Sequence, residues 1–297
     1  MKKLRLYYEE YNRRPYQLLW RHFVTQQFAL FGLLSLLSLL LIAIFSPLFT
    51  PHDPYLQNSA LLNQVPSWQN GGQVAYPFGT DDLGRDLLSR LMLGCSYTFG
   101  TALLAVFGSL AAGLLLGGLA GMSKGVKSSI FNHLLDLALT IPSLLFAIVI
   151  VAVLGPGLQN TLWAVMLALL PQFVHAVRHE IQHQLKQDYV IAYRLDGANN
   201  LQILWSVILP GLWEPLTLLF TMALSTAILD IAAIGFLGLG AQAPTPEWGT
   251  MIADALDAIY LAPWTVALPG LLIFITVLSI NLVGDGLRVA MKKRREI

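Results

Sequence analysis

The chain has 297 residues, of which 56% are hydrophobic and only 12% charged, with a mean hydropathy of +0.62 and a formal net charge of +1. Soluble domains run nearer a quarter charged, so the surplus of apolar residues points away from a soluble domain and toward a bilayer as solvent, while the near-neutral balance offers no field for nucleic acid. Cys95 is the only cysteine, which excludes an intrachain disulfide framework and a cysteine-ligated metal cluster.

Residues 1–26 form a polar head, expected to be a cytoplasmic N-terminal segment. The apolar run Gln27–Phe49 follows and is long enough to cross the hydrocarbon core. It is too long for a signal-peptide core, and no small-x-small cleavage site follows at Ser46–Pro54, so it reads as a retained first span. Further runs of spanning length are Tyr97–Met122, Ile130–Leu154, Asn160 to about Val177, Gly211 to about Leu239, and Val266 to about Val289. The expectation is an all-α integral membrane protein of six transmembrane helices.

The basic residues set the orientation. With the N-terminus in the cytoplasm, sixteen of the eighteen Lys and Arg fall on inside segments, and only Arg85 and Arg90 fall outside. Both termini are therefore expected inside, the C-terminal end as a basic tail over 290–297.

Residues 50–96 are too long for a turn and rich in Pro, Asn, Gln and Gly, which suggests an irregular periplasmic subdomain. Phe78 to Asp86 closes it, with Asp82 as a candidate N-cap for a short amphipathic helix through Leu87–Gly94. The adjacent acids and Arg85 suggest a surface salt bridge, worth at most about 1 kcal/mol. The second span carries Gly113, Gly117 and Gly121, two overlapping G-x-x-x-G steps that let backbones approach closely, either within the chain or between copies. Pro142 is expected to kink the third span.

Acids at membrane depth are expensive and each is a functional hypothesis. Asp136 lies in the first turns of the third span, where it either lines a pathway or is a solvated or capping group at the interface. Asp285 and Glu214 fall near the inner interface and read as structural. Asp230 falls in the outer part of the fifth span. It either lines a path for a cationic substrate or is a buried carboxylate bonded to a neighbouring helix.

The stretch Asp188–Pro210 is polar in its first half and apolar in its second, with Gly197 at the break and Pro210 as its stop. A structured polar segment between two spans, here within an inside segment 178–210, is a surface offered to a partner. Two short helices broken at Gly197 are expected, the second capped by Asn199 or Asn200. Just upstream, His179-Glu-Ile-Gln-His183 matches the H-E-x-x-H pattern of zinc proteases, with His175 extending the row. The polar neighbours Arg178, Gln182, Lys186 and Gln187 speak against an intramembrane protease, which stays a remote alternative.

Gly197, Leu209 and Pro210 stand where a bacterial ABC importer permease has the glycine, leucine and proline of its E-A-A-x3-G-x9-I-x-L-P signature. Ala192 keeps the first alanine; Ile191 replaces the glutamate, Tyr193 the second alanine and Val207 the isoleucine. The segments Gly79–Arg90, Phe236–Gly240, Trp248-Gly249, Ala262–Trp264, Pro269-Gly270 and Asn281–Arg288 resemble the dipeptide/oligopeptide type of that family. Arg194–Ala198 and Leu229–Ala233 are similar to the Sap type of peptide transporter within it. There the wider family has a glutamate at the position of Ile231, one place from Asp230.

The resemblance implies a type I ABC importer permease fold with a core over 97–289. It implies a second homologous permease, two cytoplasmic ATPase subunits and a periplasmic substrate-binding protein as partners, all in the lipid of a bacterial inner membrane. It implies coupling to the ATPases through Asp188, Ala192, Tyr193, Arg194, Gly197, Leu209 and Pro210. Peptides, cationic or antimicrobial ones among them, are the implied substrates, with a putrescine exporter as the alternative. The sequence contains no G-x-x-x-x-G-K-[ST], so ATP and Mg belong to the partner ATPases and this chain is expected to bind no cofactor and no metal and to be no enzyme.

Overall fold

Within hydrocarbon no water is present to satisfy peptide groups, so a spanning chain bonds its own backbone and forms helices. A computed structural model of the protein, which describes residues 15–123, 133 and 135–295, has this character. Its helices are α1 (Pro15–Val24), α2 (Gln27–Phe49), α3 (Leu87–Met122), α4 (Ser143–Leu154) and α5 (Leu158–Gln184). They continue with α6 (Asp188–Leu195), α7 (Asn200–Ile203), a π turn (Leu204–Ile208), α8 (Leu209–Phe236), α9 (Trp248–Asp254) and α10 (Trp264–Arg295). By length and composition five of these stretches can cross a membrane: α2, α3, α5, the continuous run Asn200–Phe236, and α10; α4 is a shorter apolar helix.

The third expected span, Ile130–Leu154, falls partly outside the described residues, as do Lys2, Lys3, Arg5, Arg13, Arg14, Lys124 and Lys127. In its described part, residues 135–139 are helical, the chain turns at Thr140, and α4 restarts with Pro142 at its N-cap. Pro142 thus interrupts the helix instead of bending it, because proline takes an N-cap position without losing a helical bond.

Three further boundaries differ from the sequence reading. The head contains α1, whose Leu19 and Phe23 pack with Ala29, Val283, Ala290 and Met291, while Gln26 Nε2 donates to the Gly286 carbonyl at 3.1 Å. The short helix expected before residue 96 and the second span are one 36-residue helix, α3. Its N-cap is Asp86, not Asp82: the Asp86 carboxylate accepts the Ser89 amide at 3.0 Å. Lastly, the fourth span runs past Val177 to Gln184, so Arg178 lies on α5.

The most extensive helix contact is α3 against α5. Gly113, Gly117 and Gly121 form its seam. A Cβ on Gly113 would stand 2.5 Å from Phe173 Cβ, one on Gly117 2.8 Å from the Val174 carbonyl oxygen, and one on Gly121 2.9 Å from Ile181 Cβ. These glycines are therefore buried within the chain, where dispersion contact substitutes for the hydrophobic drive that lipid does not supply.

The neighbouring Gly118 has open space around its missing Cβ. Gly117→Leu should cost about 1–3 kcal/mol through overpacking against backbone, seen as a lower melting temperature in detergent. Gly118→Leu serves as the control and should melt like the parent; equal melting of both variants contradicts the seam.

Candidate functional site

The segment Asp188–Pro210 is built outward from two buried side chains. Val190 is the one buried residue of α6, and Ile203 closes α7. Both join Val177 and Ile181 of α5, Ile208 of the π turn, and Leu212 and Leu216 of α8 in a small apolar cluster separate from the main core. Every other side chain of α6 is exposed. Tyr189 and Tyr193 form one i,i+4 row, Ile191 and Leu195 another, and Leu195 is 83% exposed. An eight-residue helix held by one side chain, with two tyrosines, an isoleucine and a leucine facing outward, is unfinished as packing within one chain.

The break is made by backbone geometry. Gly197 has φ +87°, the Gly197 amide donates to the Arg194 carbonyl at 3.1 Å, and the Ala198 amide to Tyr193 at 3.0 Å. That double bond pattern is a Schellman termination, which needs a left-handed residue after the helix. Asn199 then opens α7 as a capping box: its Oδ1 accepts the Gln202 amide at 2.8 Å, and Gln202 Oε1 accepts the Asn199 amide at 2.8 Å. Asp188 in the first turn and Arg194 in the last complement the helix dipole of α6.

Pro210 is not a stop. It sits in the first turn of α8, and the chain passes into it through the π turn, whose wider ring lets the Leu209 amide reach the Leu204 carbonyl. A proline lacks its own N–H and crowds the carbonyl four residues before, so a π turn there keeps the helix continuous. The segment is therefore one turn-broken helix followed by a rigid run into a span. Ala192 is exposed on α6, and Leu209 is half-buried at the join.

The acids lie elsewhere. Asp230 is 5% exposed and hydrogen-bonded by the Ser143 side chain, across α8 and α4. Asp230 is thus buried at the contact of α8 with α4. Asp136 is exposed on the short helical stretch before Thr140. Glu214 is buried and Asp285 exposed.

At the far end of the bundle, Asp81, Arg85 and Arg90 are buried, so the pair read as a surface salt bridge is internal. Asp81 Oδ2 lies 2.6 Å from Arg85 Nε and 3.3 Å from Arg90 Nε. Arg90 also donates to the Pro54 carbonyl at 3.3 Å and the Pro244 carbonyl at 3.5 Å, tying the α2–α3 connection to the α8–α9 hairpin. Removing one partner of a buried pair costs roughly 3–5 kcal/mol, against at most about 1 for an exposed one.

Beside it is a residue the sequence reading passed over. Glu247, fully buried, caps α9 and accepts four bonds: from Thr98 Oγ1 at 2.8 Å, the Gly249 amide at 2.9 Å, and the Thr250 amide and hydroxyl at 2.9 and 3.0 Å. Burial pushes its carboxyl up from the ordinary range, and these donors pull the other way. Trp248, also fully buried, donates its indole N–H to Leu91 at 3.0 Å. The one sequence signal was an acid placed immediately before a Trp-Gly pair.

The comparisons with known proteins agree with this fold. Residues 113–297 match the family model described as binding-protein-dependent transport system inner membrane component. The chain belongs to that family. Residues 14–66 match a second model, the N-terminal TM domain of oligopeptide transport permease C. Among related permeases, the peptide transport system permease protein SapC of Escherichia coli O6:H1 is 48% identical over 272 residues, 92% of each chain. The di/tripeptide transport system permease protein DppC of Pseudomonas aeruginosa is 47% identical over 277 residues, 93% of this chain and 91% of that one. In the inward-facing MetNI methionine ABC transporter, a solved chain matches 69% of this one and 97% of its own length, at a TM-score of 0.57 and 20% identity, which shows a shared fold.

Gly197→Val should strain the left-handed turn by about 1–3 kcal/mol although no atom blocks the added side chain. Hydrogen exchange at the Tyr193-to-Ala198 turn should rise while α8 stays protected. Unchanged exchange in the turn contradicts the termination described.

Proposed function

We propose that this permease moves peptides across the inner membrane, driven by two ATPase subunits that grip α6 and its flanks from the cytoplasm. The observation that carries the reading is the unfinished packing of α6. Its exposed rows Tyr189/Tyr193 and Ile191/Leu195 flank Asp188 and Arg194, giving a mixed apolar and charged knob of the kind a partner groove takes. The relatives' names support peptides as the cargo, and the family supports a second permease and a binding protein as further partners. Ile191, which replaces the signature's glutamate, is half exposed. The grip therefore rests on shape and on neighbouring charge. ATP and Mg sit on the ATPases, and this chain supplies the path and the joint.

Motion passes from α6 to α8 through continuous backbone. Push on α6 reaches Ile203 and Ile208 through the apolar cluster, and the π turn carries it into α8 without a flexible link. Alternating access then follows as a rigid-body shift of the spans that meet this cluster. Cationic peptides are the favoured cargo class within this reading. Asp230, buried against α4, would act on them where α4 and α8 separate.

Leu195→Asp tests the joint with little folding cost, because Leu195 touches almost nothing in its own chain. Co-purified ATPase should fall by about tenfold or more, as for a central interface residue, with membrane insertion unchanged. Full ATPase retention together with normal peptide-stimulated hydrolysis defeats the docking role. Transport by inverted vesicles, read both as uptake and as ATP-driven release of preloaded cargo and compared for cationic peptides, neutral peptides and putrescine, tests the cargo; transport of putrescine alone in both formats overturns the peptide reading.

A further inference from the structure

The transport reading uses no residue of the α2–α3 connection, and one peptide bond there is left unguarded. Residues 69–72 form a β-turn closed by the Gly72 amide, which donates to the Gln69 carbonyl at 3.0 Å. Gly71, third in the turn, has φ +91°, and Asn70 before it keeps a negative φ. That combination is a type II turn, in which the central peptide takes no part in the closing bond. The Gly71 amide, the Asn70 carbonyl and the Asn70 side chain have no partner among the described residues, and both residues are exposed. The space around Gly71 is open as well, since a Cβ built there would meet nothing within 4 Å beyond its chain neighbours.

The other asparagines of the connection are held. Asn58 Oδ1 accepts the Ala60 amide at 3.1 Å, which fixes its carboxamide. After Asn63, the Gln64 amide donates to Thr80 Oγ1 at 2.9 Å, so the nitrogen that follows that asparagine is engaged. At Asn70-Gly71 both groups are free: the carboxamide carbon, and a backbone nitrogen that glycine leaves unshielded because it has no side chain. Asparagine is a thermally labile residue, and its lability lies in the reaction of these two groups.

We propose that Asn70-Gly71 is a self-modification site, at which the folded chain converts Asn70 to aspartyl and isoaspartyl forms with water as the only reagent. The Gly71 nitrogen attacks the Asn70 carboxamide carbon and forms a C–N bond. The bond to the carboxamide nitrogen breaks, and ammonia leaves with the proton that the Gly71 nitrogen gives up. Water then opens the five-membered imide. Opening at the side-chain carbonyl gives an ordinary aspartyl residue; opening at the main-chain carbonyl routes the backbone through the side chain and adds a methylene to it. No electrons are exchanged with an outside partner. Either product places a negative charge between Trp68 and Val74, both exposed. The longer isoaspartyl backbone also gives up the Gly72–Gln69 bond and the donation from Gln64 Nε2 to the Gly71 carbonyl, 2.7 Å. The base of the loop stays closed by the Thr80 amide, which donates to the Gln64 carbonyl at 3.1 Å. The site stands whether or not peptides are the cargo.

The test incubates the full-length protein in detergent in mildly alkaline buffer, quenches samples in acid and digests them at low pH for mass spectrometry, with a zero-time sample to subtract conversion during handling. Isoaspartyl groups are counted separately by methylation with an isoaspartyl methyltransferase and labelled S-adenosylmethionine. The peptide holding Asn70 should gain the mass of amide-to-acid conversion at least about tenfold faster than those holding Asn58 and Asn63, because its nitrogen is neither bonded nor shielded. Its rate should match that of a free peptide of sequence 67–73, since an exposed turn offers no protection. Asn70→Gln should abolish the methyl acceptance and melt like the parent, which separates loss of the site from misfolding. Conversion in the folded protein about tenfold or more slower than in the free peptide overturns the proposal, because local opening would then be required. So does conversion of Asn58 or Asn63 at the rate of Asn70, and so does methyl acceptance that persists in Asn70→Gln.

Discussion

The seam between α3 and α5 is the contact on which the rest depends. Lipid offers no hydrophobic reward for bringing two helices together, so association relies on close packing. Gly113, Gly117 and Gly121 let α5 ride directly on the backbone of α3 beside Phe173, Val174, Val177 and Ile181. That placement has a consequence one helix later. Val177 and Ile181 are also members of the cluster that receives Val190 and Ile203. The same face of α5 is thus held by glycines on one side and holds the α6–α7 joint on the other. A shift of α5 along its seam would move the joint with it.

The opposite end of the bundle is organised by polar groups, and the contrast has a physical cause. There the chain carries an irregular connection and a hairpin whose backbone groups need partners wherever they are buried. Arg90 bonds carbonyls from both segments, and Glu247 gathers donors from α3 and from its own hairpin. Gly235 and Gly249 allow this closeness: a Cβ on Gly235 would stand 2.1 Å from Glu247 Oε2, and one on Gly249 2.0 Å from the Ala232 carbonyl oxygen. While Phe236–Gly238 at the end of α8 are exposed, the Trp248-Gly249 pair, legible only as a family motif, is part of a buried clamp. Its strength comes from satisfied hydrogen bonds and a buried Trp248, the terms that are worth most away from water.

Legibility followed the range of each interaction. Spanning helices, the break at Gly197, the Asn199 cap and the close-packing glycines are written in local composition and spacing, and the sequence carried them. What it did not carry depends on partners distant in the chain. Asp86 outcompetes Asp82 as a cap because the Asp81 carboxylate and its neighbours are already folded around Arg85 and Arg90. Residues 1–26 read as a polar head, yet α1 within it buries Leu19 and Phe23 against the end of α10, more than 250 positions away. Pro142 and Pro210 read alike as interruptions. The first sits at a helix start and breaks the span; the second is absorbed by a π turn. No local rule separates them, since the difference lies in whether the preceding turn widens or ends.

Pro210 has a further bearing on how α6 can act. A lever needs one compliant point and one stiff arm. Gly197, left-handed and with open space around it, terminates α6 through two backbone bonds, and on the proposed coupling it would be the compliant point. From Asn199 onward the capping box, the buried Ile203 and Ile208, and the π turn leave no non-helical residue before Phe236. The arm is therefore a single 37-residue run, Asn200–Phe236, whose far end lies against Glu247 and the outer clamp. On the proposed coupling, a displacement applied at α6 would be delivered along that run to its far end, where Gly235 packs on the Glu247 carboxylate. The proline that matches the signature stands in the first turn of α8, and the π turn before it is what allows a proline there without a hinge.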